Sequence, residues 1–371
     1  MKLLHIADTH IGKRIHGFSL ADDQRHALDA VRAIARRERA DAVLIAGDLY
    51  DKSVPSGASA LLLDAFLTGL REDGTEVFLI AGNHDSAERL QFLSRLLAKN
   101  GVYISAMFDG TLPTVRLHDA YGPLDITLLP YVSPASVRPY YPAAEIRTHH
   151  DAVREILSST PVDTSVRNIL LAHQNVTAYP PGEAETLVGT LDNVHFALFD
   201  DYDYVALGHI HQRYSIGRET VRYAGSLHTT SFADAGQPRG VTVIECFEKG
   251  DLRLRFEPIV PLHAFRVIRG PMEALLLEGR AHASDDFFHV VLTDEDDVPD
   301  AMQRLRAVYP NILHLSYDNH RTRMTDSDTG EADETEEMDL LTQFITFYQQ
   351  QNGRAPDEES IALLQKHIQQ A

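Results

Sequence analysis

A chain of 371 residues is about two and a half times the ~150 of an ordinary domain, which predicts one large domain with appendages. Its 34 Lys and Arg against 54 Asp and Glu give a formal net charge of −20, and 44% hydrophobic with 24% charged residues excludes wholesale disorder. The single cysteine, Cys246, excludes a disulfide scaffold and a cysteine-based zinc site; no leader-like opening follows Met1-Lys2 and no apolar run reaches the ~20 residues of a membrane span, so a cytoplasmic location is expected. Nineteen histidines beside one cysteine mean that any metal site must use imidazoles and carboxylates.

Apolar runs of strand length at Leu3–Ala7, Ala42–Ala46 and Val77–Ala81 alternate with helix-period segments at residues 22–38, 57–71 and 87–98. That rhythm predicts βαβ units with strands buried under helices on both faces. Strand-like runs at Ile126–Leu129, Ile169–Ala172, Tyr204–Leu207, Arg222–Ala224, Val241–Cys246 and Leu252–Ile259 follow without regular crossover helices. One α/β sandwich over residues 1–260 accounts for all of them. A second regime opens near Pro261, with strands expected at His263–Arg269, Phe287–Leu292 and Ile312–Tyr317 and a helix at Pro299–Val308, a small α/β module over 261–321.

Residues 271–371 hold 7 basic against 21 acidic residues, so most of the acidity sits in the last quarter and overall charge gives no footprint for nucleic acid. Within that quarter, residues 322–339 form an acidic linker. Residues 340–371 then recover helical periodicity: Leu341, Phe344, Ile345 and Tyr348 make one apolar face, Gly353 a stop, Pro356 to Glu359 a second start, and Ile361, Leu364 and Ile368 a second face. Two helices this short are marginal alone, so the pair needs a surface to dock on.

Four motifs each close a predicted strand: Asp8-Thr9-His10, Gly47-Asp48-Leu49-Tyr50-Asp51, Gly82-Asn83-His84-Asp85 and Gly208-His209-Ile210-His211, with His173 at the end of Ile169–Ala172. Ligands bind outside the carboxyl ends of strands in open α/β sheets, so these segments are expected to converge on one rim. In an extended chain residues i and i+2 point the same way, so Asp8 with His10, and His209 with His211, are expected to grip one ion each. The glycines at 47, 82 and 208 are expected to turn the backbone sharply before the ligands. Two carboxylates, one amide oxygen and four imidazoles are too many for one tetrahedral zinc and suit two six-coordinate ions such as manganese or iron. Asp48, with two oxygens at the centre of the set, is the expected bridge. His5 is expected to pack in the first strand, while His16 and His228 stay open as substrate contacts. Lys13, Arg14 and Lys52 follow the first two motifs on the same rim and are candidate phosphate contacts.

With Leu3-Leu-His-Ile-Ala-Asp-Thr-His-Ile-Gly12, Ala46-Gly-Asp-Leu-Tyr-Asp51, Ala81-Gly-Asn-His-Asp85, Leu207-Gly-His-Ile-His-Gln212 and Tyr223-Ala-Gly-Ser226 in view, the sequence resembles the calcineurin-like metallophosphoesterases. It is most similar to their SbcD branch, the nucleases of bacterial SbcC–SbcD complexes. The resemblance implies a β-sandwich flanked by helices, a small α/β cap domain and a C-terminal helical pair. It assigns Asp8, His10, Asp48 and His211 to one metal and Asp48, Asn83, His173 and His209 to the other, two Mn2+ or other divalent transition metals. His84 becomes the catalytic histidine that protonates the leaving oxygen, and Asp51 the residue that orients it. A 3′–5′ exonuclease on double-stranded DNA and an endonuclease on single strands and hairpins is implied, serving recombination, replication and repair. The implied partners are DNA, an SMC-like SbcC ATPase docked through residues 340–371, and a second copy of the nuclease chain. A phosphodiesterase for a small cyclic nucleotide is the alternative within the fold. A protein phosphatase is disfavoured because Lys52 and Ser53 stand where that family has Arg-Gly, and a metal-free binding scaffold because every ligand position is filled.

Overall fold

The computed structural model describes residues 1–179 and 192–320, with Thr322, Leu341, Ile345, Pro356 and Ile361. The described residues fall into two compact units, Met1–Val291 with Asp300–Ser316, and Leu292–Pro299 with the residues from Tyr317 onward.

Two six-stranded sheets form the body of the first unit. One runs Leu252–Ile259, Arg239–Cys246, Lys2–Ile6, Ala42–Ala46, Glu76–Ile80, Val102–Ser105; the other runs Tyr214–Ile216, Arg218–Tyr223, Tyr204–Gly208, Arg167–His173, Gly122–Leu129, Thr114–Asp119. The strands that lead into the motifs are parallel neighbours, Lys2–Ile6 with Ala42–Ala46 and Ala42–Ala46 with Glu76–Ile80 in the first sheet, Arg167–His173 with Tyr204–Gly208 in the second. Parallel pairing puts their carboxyl ends on one side of each sheet, which delivers Asp8, Asp48 and Asn83 side by side.

Alternation along each strand divides the apolar residues between two layers. Leu3, Leu44, Phe78 and Ile80 meet Ile126, Leu128, Ile169, Leu171, Tyr204 and Ala206 from the other sheet to form the inner core. Leu4, Ile6, Val43, Ile45, Val77 and Leu79 face outward onto Leu28, Val31, Leu63, Phe66 and Leu70 of helices Ala21–Glu38 and Gly57–Glu72. Leu170, Ala172, Val205 and Leu207 of the second sheet take their cover from Ala152, Val153 and Ile156 of helix His149–Ser159. That helix is absent from the sequence reading, although Thr148 and Asp151 bond each other's backbone N–H as a capping box, a signature legible in Thr-His-His-Asp.

The helix expected over 87–98 is broken into Ala87–Gln91 and Ser94–Ala98. Gln91 turns its amide away, accepting from the Ala106 N–H at 2.9 Å and donating to Ser94 Oγ at 2.9 Å, and Leu93 crosses the break at φ 63°. Beyond residue 260, strands Phe265–Gly270, Phe287–Leu292 and Ile312–Tyr317 form a three-stranded sheet with helices Met272–Ala281 and Ala301–Arg306. Helix Met272–Ala281 also escapes the sequence reading. The linker at 322–339 and most of the 340–371 pair lie outside the described residues; Leu341, Ile345 and Ile361 are helical and half-buried. No helix of the described residues is long and apolar enough to cross a membrane.

Candidate metal centre

Each motif begins where its strand stops hydrogen bonding as a sheet. The expectation of an extended Asp8-Thr9-His10 fails, because Asp8 has φ 52° and His10 φ 39°; Asp48 at 50° and His209 at 99° share the left-handed region. The turn is imposed by the neighbouring loop: the Asp8 N–H donates to the Gly47 carbonyl and the His10 N–H to the Asp48 carbonyl, both at 3.0 Å. Four strained non-glycine residues in one cluster mark a site the surrounding fold over-determines. The glycines serve two purposes. Gly47 supplies a φ of 87°, whereas Gly82 and Gly208 are there for clearance, since a Cβ on Gly82 would overlap the Asp48 carboxylate and one on Gly208 the Ala46 carbonyl oxygen. Gly208→Ala is therefore expected to cost about 3 kcal/mol or more, as overpacking against immovable backbone, read as a loss of melting temperature.

The structure brings all seven expected donors to one rim. Asp8, His10 and His211 offer ligand atoms mutually within 4.8 Å, and so do Asp8, Asp48 and His173. His10 Nε2 and His211 Nε2 are 2.9 Å apart, His173 Nε2 lies 3.1 Å from Asn83 Oδ1, and His209 Nδ1 lies 3.0 Å from the same oxygen. Two ligand atoms each ~2.1 Å from one ion and at right angles would stand about 3.0 Å apart, so donors at these spacings could share a cation. Asp48 Oδ2 stands 3.7 Å from His10 Nε2 and 3.5 Å from His173 Nε2, between imidazoles that the resemblance assigns to different ions.

The donors have the chemistry of a cation site. His173 Nδ1 donates to the Ala46 carbonyl at 2.8 Å, which turns its Nε2 toward Asn83 Oδ1 and Asp48 Oδ2, both acceptors. Only a proton or a metal ion relieves that opposition. Burial lowers the His173 imidazole, but the Asp48 carboxylate beside it overrides burial and carries it up to about 9. Burial would raise Asp48 in turn, yet His173 holds it below the usual carboxylate range. Burial pushes Asp8 up to about 7 against the pull of His173, and the Asp48 charge adds to the rise. It pushes His10 down to about 3 and, with His173 adding, His209 down to about 4; His211 falls for the same first reason. Neutral imidazoles are the form that ligates metal. The buried His10 Nδ1 has no hydrogen-bond partner among the described residues.

His84 sits at the mouth, exposed, its ring 5.0 Å from that of His10. Its backbone N–H donates to Asp48 Oδ1 at 2.9 Å, so the main chain ties it to the centre. The contact between Asp51 and His84 is made by the main chain. The Asp51 main-chain carbonyl, not its carboxylate, lies 3.2 Å from His84 Nδ1, and the carboxylate is taken by Lys13 Nζ at 2.9 Å. Sequence reasoning missed Asp85, whose carboxylate accepts from the N–H groups of Leu49, Tyr50 and Gly82 at 3.0 to 3.1 Å and staples two motif loops together. An acid directly after Asn-His was the available signal.

Of the three candidate phosphate contacts, Lys13 is thus paired, while Arg14 and Lys52 line one open cleft with Arg25, Ser56 and the Asp51 loop. His228 is buried and lines a cavity with Leu20 and His263, and Gln24 beside it at 3.4 Å donates to the His10 carbonyl at 2.6 Å. His16 stacks on His314, centroids 4.8 Å apart, and His5 packs in the core with its Nδ1 2.9 Å from the Tyr204 hydroxyl.

The profile of the calcineurin-like phosphoesterases matches residues 1–213, and that of the type 5 capsule protein repressor C-terminal domain matches residues 261–352. The SbcD component of the SbcCD nuclease of Staphylococcus epidermidis is 32% identical over 322 residues, 85% of either chain. Among solved structures, a dimetal phosphatase from Danio rerio superposes with TM-score 0.40 at 12% identity, over 70% of this chain and 97% of that one. A psychrophilic β-glucosidase from Micrococcus antarcticus gives 0.23 at 10% identity, over 85% and 83%; both scores are too low to carry weight. The chain belongs to the calcineurin-like phosphoesterase family, on its SbcD branch, and is a hydrolase of phosphodiesters that depends on divalent metal ions.

Proposed function

We propose that this chain is a two-metal DNA nuclease, a 3′–5′ exonuclease on double strands and an endonuclease on single strands and hairpins, working with an SbcC ATPase on DNA ends. The observation that carries the two-ion reading is Asp48 Oδ2, placed between His10 and His173 at 3.7 and 3.5 Å. Asp8, His10, Asp48 and His211 would hold one ion and Asp48, Asn83, His173 and His209 the other, with manganese suited to a set of oxygens and imidazoles. Two such ions supply a water activated at neutral pH and charge neutralisation for in-line displacement at phosphorus. His84 reaches the same rim from the mouth, where its imidazole can protonate the departing oxygen while its Nδ1–H donates to the Asp51 carbonyl. Gln24 and the Asp85 carboxylate hold the loops at fixed spacing. A plasmid-nicking assay with manganese, run beside hydrolysis of cyclic nucleotides, decides the substrate: nicked plasmid with inert cyclic nucleotide is expected, and the reverse pattern moves the chain to the small-molecule reading.

DNA is expected to depend on a local patch, since the chain as a whole repels it. Neutralising Arg14 or Lys52 should weaken binding and reduce the salt slope by roughly one unit each. Lys13, already paired with Asp51, should change it less. Unchanged slopes in Arg14→Gln and Lys52→Gln would remove the patch.

For the partner, the supporting observations are the apolar faces read in residues 340–371 and a relative that is one component of the SbcCD nuclease. Truncation after Asp339 should leave metal-dependent nicking intact and abolish co-purification with SbcC; a stable complex with the truncated chain would place docking elsewhere. A homodimer is supported by Leu61, Phe92 and Leu96, apolar side chains 70, 72 and 56% exposed in the segments that follow the second and third motifs. Sedimentation of the full chain as a monomer would rule it out.

A further inference from the structure

We propose that Thr230 and Asp234 are positioning residues that decide which nitrogen of His211 is offered to metal, an inference that rests on His211 being a ligand. Thr230 Oγ1 donates to Asp234 Oδ2 at 3.2 Å, and the same oxygen stands 3.2 Å from His211 Nδ1. A hydroxyl has one proton to give. With that proton committed to the carboxylate, Oγ1 can only accept from the imidazole, so Nδ1 carries the ring hydrogen and Nε2 carries the lone pair. Nε2 is the nitrogen that lies 2.9 Å from His10 Nε2, in the group His211 forms with Asp8 and His10.

Asp234 is held so that the direction cannot reverse. Its Oδ2 also accepts from Ser231 Oγ at 3.0 Å, and Arg239 Nη2 lies 3.6 Å from that oxygen. The buried Arg239 guanidinium meanwhile donates through Nη1 to the His211 main-chain carbonyl and to Ser226 Oγ. His211 is therefore tied at both ends to one carboxylate, its ring through Thr230 and its backbone through Arg239. Without Thr230 the ring is free to rotate or to exchange tautomers, and a neutral imidazole with its hydrogen on Nε2 turns a donor toward His10. The hydroxyl and the carboxylate lie outside all four motifs, on the turn around Phe232–Asp234.

Outer partners of a ligating histidine typically contribute about 10–100-fold to metal affinity. Calorimetric titration of the full, metal-stripped chain with Mn2+ should show one of two binding steps weakened by about that factor in Thr230→Val, with the other step and the metal-free melting temperature unchanged. Thr230→Ser, which keeps the hydroxyl, should restore the weakened step. Parental affinity at both steps in Thr230→Val overturns the proposal, as does loss of both steps together with melting temperature, which would make Thr230 a structural residue. His211→Ala is titrated in parallel: if it still binds two ions at parental affinity, the ligand assignment has failed, whereas a lost step in His211→Ala beside an intact Thr230→Val fails the positioning role alone.

Discussion

Asp48→Ala is expected to lose both metal ions and all cleavage, the largest effect of any single substitution in the rim. The carboxylate reaches imidazoles assigned to both ions, with Oδ2 at 3.7 Å from His10 and 3.5 Å from His173. Its other oxygen accepts the His84 backbone N–H at 2.9 Å, so the same side chain also anchors the loop that carries Asn83. Removing it takes from His173 and Asn83 Oδ1 the carboxylate whose oxygen stands 3.5 Å from the imidazole. Elemental analysis should find neither ion retained at stoichiometry. Loss of one ion with retention of the other would make Asp48 a terminal ligand instead of a bridge. Full occupancy would remove it from the site altogether.

The seven donors were legible in the sequence because each sits just beyond an apolar run, and parallel strands put such positions on one rim whatever the detailed packing. Geometry within the rim was not legible in the same way. The pleat argument brought Asp8 and His10 together for the wrong reason, since both leave the strand in left-handed turns set by hydrogen bonds to Gly47 and Asp48, about forty residues away in sequence. Asp51 was read from its position in a motif, and position does not reveal that Lys13 competes for its carboxylate. Gln24 and the Thr230–Asp234 chain were invisible for a related reason: each acts through main-chain groups or through another side chain, and no periodicity records a partner. The fold shows the same division. Ala42–Ala46 and Leu252–Ile259 match their expected bounds residue for residue, being apolar or alternating runs with polar ends. The 87–98 segment kept its helical composition and still broke, because Gln91 found the Ala106 N–H, a tertiary partner.

His84→Ala is expected to separate chemistry from metal binding. Its contact with Asp48 is made by a backbone N–H that alanine also carries, so the loop and both ions should survive the change. What disappears is an imidazole at the open mouth, 5.0 Å from the His10 ring, in position to hand a proton to the leaving oxygen. General-acid assistance of this kind contributes about 10²–10⁴-fold. The variant should therefore bind two ions and DNA as the parent does while cleaving slower by that factor. Asp51→Ala is the informative companion. If the carboxylate oriented the imidazole, its loss would mimic much of the His84 defect; because the carbonyl at 3.2 Å does so, and alanine keeps that carbonyl, cleavage should stay within a few-fold of the parent. Metal content falling with activity in His84→Ala would make His84 a ligand. A rate loss in Asp51→Ala as deep as in His84→Ala would return the orienting role to the carboxylate and set aside the carbonyl contact.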